Sequence, residues 1–263
     1  MAVTACGKYV SSLMKHVFYR SLVFSVLAAG LGIFTLAANP ANAGEDIVVI
    51  ELFTSQGCVA CPPADKVMLK LAKEEGVVAL SWPVDYWDYL GWKDTFATTA
   101  NTARQAGYND AMGKNGVYTP QMIINGRVQA VGSRENEIRA LIEEQKANGK
   151  LKLDVALDGD RENLVINVSA GLTDADTSIW LILYDDEQVV DIQYGDNRGR
   201  LLRYANIVRD AQSVGPWTGN RMRIPIDMKK VAEVGANCIA VLVQEGIAGP
   251  ILGATKITLS DLD

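Results

Sequence analysis

Downstream of residue 45 the chain alternates short apolar runs with amphipathic stretches. Asp46 to Phe53 (Asp-Ile-Val-Val-Ile-Glu-Leu-Phe) is compact and β-branched and predicts a buried strand. Thr54-Ser55-Gln56-Gly57 breaks it, and Cys58-Val59-Ala60-Cys61 follows. After Pro62-Pro63 a helical period runs to about Glu75, with Val67, Met68, Leu71 and Ala72 on its apolar face and Gly76 as its stop. Val77 to Val84 predicts a second strand, and Lys93 to Met112 a helical insertion broken near Gly107 and Gly113. Thr119-Pro120 leads into the strand Gln121 to Ile124. Asn125-Gly126 is a strong hairpin signal, and Arg127 to Val131 is the return strand. Ser133 to Asn148 predicts a helix with Ser133 as N-cap and Ile138, Leu141 and Ile142 on one face.

From Lys150 the pattern changes. Residues 151–157, 164–170, 179–184, 189–194, 222–226, 238–243 and 252–258 are short strand candidates separated by acidic and glycine-containing turns. That many strands in roughly 110 residues predict a β-sandwich. Arg198 to Val214 fits either a helix or an edge strand. The expected organisation is therefore an α/β domain over 44–149, with a helical insertion, followed by an all-β sandwich-like domain over 150–263.

The first 43 residues read as a secretory signal. Lys15, His16 and Arg20 precede the apolar run Ser21 to Leu36, and Ala41-Asn42-Ala43 supplies small residues for cleavage after Ala43. The run is shorter than the roughly 20 residues a spanning helix needs. Met14 gives a more ordinary signal length than Met1. Export to the periplasm or the medium is expected, with no membrane association after cleavage.

Charge and composition then narrow the chemistry. Lys8, Lys15 and Arg20 lie in the signal and no acidic residue does, so taking three from 25 leaves 22 Lys+Arg against 31 Asp+Glu, a net charge of −9 for the mature part. That argues against nucleic acid or anionic membranes as partners. The sole histidine, His16, lies in the signal. The mature chain thus has no Ser-His-Asp triad, Cys-His dyad or imidazole metal ligand. No cofactor is implied. Mature cysteines are Cys58, Cys61 and Cys238, an odd number that leaves one thiol over. Cys238, in Cys-Ile-Ala-Val-Leu-Val, fits a buried strand position.

The order strand, Cys-x-x-Cys, helix, strand, insertion, Pro, hairpin, helix resembles the thioredoxin layout. In that layout Pro120 stands where a cis-proline lies beside the disulfide. The mature chain also resembles a narrower group of secreted bacterial proteins, a domain-of-unknown-function family with a thioredoxin-like fold. The matching runs are Glu51 to Cys58, Cys61-Pro62-Pro63-Ala64-Asp65, Val84 to Asp88, Leu90 to Asp94, Tyr118 to Gln121, Asn197-Arg198-Gly199-Arg200 and Gly249 to Gly253. One departure is Trp82-Pro83 before Val84-Asp85, where the family pattern carries a histidine before the valine. The resemblance implies the fold; the family's function is uncharacterised.

Cys-x-x-Cys spacing lets one thiolate attack a partner disulfide and the second resolve the mixed disulfide. Cys58 is the candidate nucleophile, Cys61 the resolving thiol and Pro120 the third site residue, with a protein thiol or disulfide as substrate. Pro62 biases Cys61 away from helical dihedrals, so the helix is expected to start at Pro63 with Cys58 on the turn ahead of it. Two further readings use the same cysteines: Cu(I) binding or delivery by two thiolates, and a non-catalytic binding module. An inert brace is the bland alternative, and a four-residue loop gains little from one. Exposure of Cys58 beside a cis Pro120 favours exchange, and a buried Cys58 favours the brace. The aromatic run Asp85 to Trp92 is either a partner surface or a plug beneath the insertion. Asn197 to Arg200 reads as a solvated turn.

Overall fold

The computed structural model describes residues 47–262, so the expected signal and the cleavage after Ala43 lie outside the described residues. The elements in chain order are β1 (Val48–Thr54), α1 (Pro62–Leu71), β2 (Val77–Pro83), α2 (Thr99–Ala111), β3 (Gln121–Ile124), β4 (Val128–Val131), α3 (Glu135–Ala147), β5 (Val155–Asp158), β6 (Val165–Val168), β7 (Thr177–Asp191), β8 (Leu201–Pro216), β9 (Met222–Pro225), α4 (Met228–Val234), β10 (Cys238–Glu245) and β11 (Ile251–Thr258). It is a mixed α/β fold with a large sheet and few helices. No helix among the described residues is long and apolar enough to cross a membrane.

The first half forms the expected elements. β1 pairs parallel with β2 and antiparallel with β3, and β3 pairs antiparallel with β4. Every residue of β1 and β2 is buried, the mark of strands covered on both faces. Alternate side chains divide between two cores. Val48, Ile50 and Leu52 pack with Ala64, Met68 and Leu71 of α1 and Ile138 and Ile142 of α3. Val49 and Phe53 pack on the opposite face with Trp82, Tyr108 of α2 and Ile123. Asn125 and Gly126 both take positive φ (52° and 65°), and Arg127 N–H donates to Ile124 O at 3.0 Å, closing the hairpin.

The second half corrects the expectation of a separate sandwich. Its strands β7, β8, β10 and β11 join the first half in one eight-stranded sheet of order β11-β10-β7-β8-β2-β1-β3-β4. The join is a short parallel contact, Ser81 opposite Ile207. Two side-chain bonds reinforce it: Ser81 Oγ to Ala205 O and Asn206 Nδ2 to Ala79 O, both 2.7 Å. The physical reason is edge satisfaction. β2 is buried throughout, and its outer backbone groups need a strand partner. Sandwich packing survives locally, because the three-stranded sheet β5-β6-β9 buries Leu164, Ile166 and Val168 against Ile179, Leu181 and Leu183 of β7 and Ile239 and Val241 of β10. The described residues, 47–262, fall in one compact unit that runs across position 149/150.

Smaller differences have local causes. The candidates 179–184 and 189–194 are one strand, β7, whose polar middle pairs with β8. Arg198 to Val214 resolves as β8 and the turn before it. α1 stops at Leu71 rather than Glu75, and the insertion is helical only over α2, after a 3-10 turn at Asp88–Leu90. The N-cap of α3 is Arg134, not Ser133, and makes no side-chain cap bond.

Candidate functional site

Cys58 and Cys61 follow β1 on a tight turn and are disulfide-bonded, with Cα atoms 5.4 Å apart. Cys61 N–H donates to Cys58 O at 3.2 Å. Cys61 adopts helical dihedrals (φ −79°, ψ −36°) despite Pro62 behind it, and its carbonyl accepts from Ala64 and Asp65 N–H at 2.8 and 3.1 Å. The helix therefore starts at Pro62, one residue earlier than expected, and Cys58 lies on the turn before it.

Thr119-Pro120 is cis. Two contacts tie its segment to the cysteine loop. Trp87 Nε1 donates to Thr119 Oγ1 at 2.7 Å, and the Trp87 backbone packs so closely on Gly57 that a Cβ there would lie 3.2 Å from Trp87 O. Gly132 is wedged among Leu52, Ala64 and Pro120, where a Cβ would fall 2.9 Å from Leu52 and 3.1 Å from Ala64.

The disulfide is shielded. Cys58 is 2% exposed and Cys61 0%, while Val59 between them is 54% exposed. Asn197, fully buried, is tied to the loop: its Nδ2 donates to Gln56 O at 2.8 Å and Cys58 O at 3.0 Å. Asn197 to Arg200 is a turn with Arg198, Gly199 and Arg200 exposed, as the sequence suggested, while its first residue, Asn197, is buried and bonded to the cysteine loop. The aromatic run joins it. Trp92 Nε1 donates to Gln56 Oε1 at 2.8 Å, and Trp92 packs on Tyr194 with ring centroids 6.3 Å apart. Tyr89 alone of its aromatics points far into solvent, at 77% exposure. Removing this tie has a readable result. Asn197→Ala deletes two bonds worth about 1 kcal/mol each, and reduction of the disulfide by dithiothreitol is expected to speed up about thirtyfold. An unchanged rate would show that Asn197 does not control access.

Behind the loop sits a buried acidic group that sequence reasoning passed over. Asp65, one turn after Cys61 on α1, accepts from Thr54 Oγ1 at 2.7 Å, and its Oδ2 has no hydrogen-bond partner among the described residues. Burial pushes its carboxyl up to about 8 against the pull of the Thr54 bond, so it holds its proton at neutral pH. Asp94 accepts from Gln56 N–H at 2.7 Å and from Phe96 and Ala97 N–H, and burial raises it to about 6. Tyr204 of β8, its hydroxyl buried without a partner among the described residues, feels both carboxyls and is pushed up, chiefly by desolvation. Asp65, Asp94 and Asn197 all lie in runs that matched the family pattern, which was the signal available for them. Cys238 is buried and unpaired. Among the described residues no group of three or more His, Cys, Asp or Glu side chains is placed to hold a metal.

A disulfide on the turn between a buried strand and a helix, in a mixed α/β sheet protein, defines the class. The chain belongs to the family described as protein of unknown function DUF1223, which matches over residues 49–244. It is similar to a probable thioredoxin of Archaeoglobus fulgidus, 37% identical over 103 residues, covering 38% of this chain and 91% of that one. A crystal structure of an Agrobacterium tumefaciens protein superposes with a TM-score of 0.73 at 37% identity, covering 82% of this chain and 96% of that one. HBP35 of Porphyromonas gingivalis superposes at 0.57 with 13% identity, over 83% of this chain and 77% of that one, a likeness of fold alone.

Proposed function

We propose that the Cys58–Cys61 couple performs thiol–disulfide exchange with a protein partner after export, in a thioredoxin-like unit that ends near Asn148. The observation that carries this is the paired geometry: a Cys-x-x-Cys disulfide ahead of a helix, tied through Trp87 to a cis Thr119-Pro120 segment. The likeness to a probable thioredoxin supports it. Starting from the disulfide, a partner thiolate attacks Cys58 Sγ, the S–S bond breaks and Cys61 leaves as thiolate. A second partner thiolate then attacks the mixed disulfide, which gives an oxidised partner and a reduced pair. Run backwards, the same steps reduce a partner. The burial of Cys58 makes the exchange gated: the cysteine loop, held by Asn197 at its backbone, must open before a partner sulfur can approach.

The same burial favours a second reading, a fixed brace in a non-catalytic binding module. One experiment separates them. The reduction potential is measured against glutathione buffers and turnover by insulin reduction, on exported protein whose intact mass places its first residue at Gly44. Exchange predicts a potential above about −300 mV, turnover lost in Cys58→Ser, and a trapped mixed disulfide in Cys61→Ser. A potential below that value with no turnover assigns the brace. Copper retained by the reduced protein but not by Cys58→Ser would favour Cu(I) binding, which needs the disulfide opened to two thiolates.

A further inference from the structure

β8 outruns its partner on one side. It pairs with β7 along its whole length but with β2 only at Ile207, and it continues nine residues further, to Pro216. Past Ile207 no strand among the described residues covers its outer edge. No loop or turn hydrogen bond among them involves the backbone of residues 209–215. The register with β7 skips Arg209 and Val214. These two bulges bound a regular stretch in which Asp210, Ala211, Gln212 and Ser213 face Leu183, Ile182, Leu181 and Trp180. Along an antiparallel edge alternate residues turn both N–H and C=O away from the partner, so this stretch offers about four backbone groups to a further strand.

A cleft of about 370 Å³ runs along that edge, with α2 as its other wall. Arg209, Asp210 and Ala211 line it together. Side chains of consecutive strand residues alternate between faces, so three in a row place the opening at the strand's edge. Trp82, near the end of β2, also lines it, and the cleft occupies the lane β2 would take if it ran on. Across from β8, Ala100, Ala103 and Gly107 leave the facing side of α2 low, at helical spacing. None of the lining residues belongs to the cysteine loop 54–61.

Charge selects the occupant. Arg104 is paired with Glu51 and Arg209 with Asp185. Asp210 is therefore the one lining charge without an ion pair among the described residues, and it is exposed. A strand added here sets one side chain directly opposite Asp210 and the next opposite Ala211, which packs beside Trp180 on the side of the sheet that carries α2. The first position calls for Lys or Arg, the second for an apolar group that enters the cleft. A second copy of this chain supplies no such cation, because its own edge over 210–213 reads Asp-Ala-Gln-Ser.

We propose that the open edge of β8 at Asp210 to Ser213 takes up an extended segment of another protein as an added strand, with a basic side chain opposite Asp210 and an apolar one in the cleft beside α2. This holds whether or not the cysteine pair exchanges thiols. The probe is an end-blocked, fluorescein-labelled peptide, Lys-Val-Lys-Val-Lys-Val, read by anisotropy and by hydrogen–deuterium exchange of the protein. It is expected to bind saturably, to slow exchange in residues 209–213, and to bind several-fold more tightly than Glu-Val-Glu-Val-Glu-Val. Two further peptides carry N-methyl groups on all the valines or on all the lysines. Only alternate N–H groups of an added strand face β8, so one of the two should lose about tenfold or more in affinity and the other should keep it. Asp210→Lys, at an exposed position, should reverse the preference between the lysine and glutamate peptides, and Ala103→Trp, which fills the α2 side of the cleft, should weaken both. Protection elsewhere than 209–213, equal binding of the two charge types, equal loss from both methylated peptides, or an unchanged preference in Asp210→Lys would overturn the proposal. So would slowed exchange at 209–213 that grows with protein concentration alone, which assigns the edge to a second copy of this chain.

Discussion

Glu51→Ala is expected to lower the unfolding free energy by about 3–5 kcal/mol, the largest loss from any single substitution outside the apolar core. Glu51 sits on β1 with no exposure, on the face that otherwise carries Val49 and Phe53. Its carboxylate takes Arg104 Nε on one oxygen and a short bond from the Tyr108 hydroxyl on the other. Arg104 in turn reaches Gln244 on β10. One carboxylate thus fastens α2 between a strand of the first half and a strand of the second. Truncation leaves a guanidinium buried among Trp82, Tyr108 and Trp180 without its counter-charge. The penalty is that of an unpaired buried ion, larger than the net worth of the pair. Glu51→Gln, which keeps one acceptor oxygen for Arg104 and turns an amide N–H toward the Tyr108 hydroxyl oxygen, should lose less. Urea denaturation measures both, and a loss below about 1 kcal/mol for Glu51→Ala would show that the network can be solvated without unfolding.

The second large effect is a gain, and it depends on pH. Asp65 is raised to about 8 in the folded protein from an ordinary 3.8. The folded state holds a proton that the unfolded chain releases from about pH 4 upward, so stability is lost as pH rises from about 4 to about 8. At pH 7 the cost approaches about 4 kcal/mol, three units at about 1.36 kcal/mol each. Asp65→Asn keeps an acceptor for Thr54, offers its amide near the unpartnered Tyr204 hydroxyl and carries no titrating proton. Its advantage should be near zero at pH 4, grow through neutrality and level off above pH 8. Urea midpoints of both proteins across that range check it. A difference that does not vary with pH would mean that Asp65 is solvated on a longer timescale than the fold shows.

What the sequence disclosed and what it withheld divide along the reach of the interactions. Cys58, Cys61, Pro120 and the Asn125-Gly126 hairpin declared themselves because each is a local constraint: two residues of spacing, one imide, two positive-φ positions. α4 carried its own marks, with Asp227 Oδ1 accepting from Lys229 and Lys230 N–H and Gly235 closing at φ 72°, but seven residues give too little periodicity to stand out among strands. The Asn197 tie was invisible because Asn197 meets the cysteine loop across 139 residues of chain. β8 misled for a similar reason. Its Tyr204 to Val208 segment is buried near β2 while the residues beyond lie open along β7, so no single period describes it. The sandwich expectation split β7 into two strands, left β8 undecided, and missed that four strands of the second half continue a sheet begun 100 residues earlier.

The seam between β2 and β8 has a consequence for how the molecule comes into being. During synthesis, the segment carrying the cysteines emerges first and can close its own hairpin and helices. Its β2 edge stays bare until residue 207 arrives, more than 120 positions later. In that interval the disulfide loop also lacks Asn197. The newborn protein passes through a stage in which its sulfurs are open and its sheet is unfinished, exposed both to oxidants and to strands of other chains. The last third of the chain thus supplies both the strand that pairs with the β2 edge and the side chain that bonds the cysteine loop.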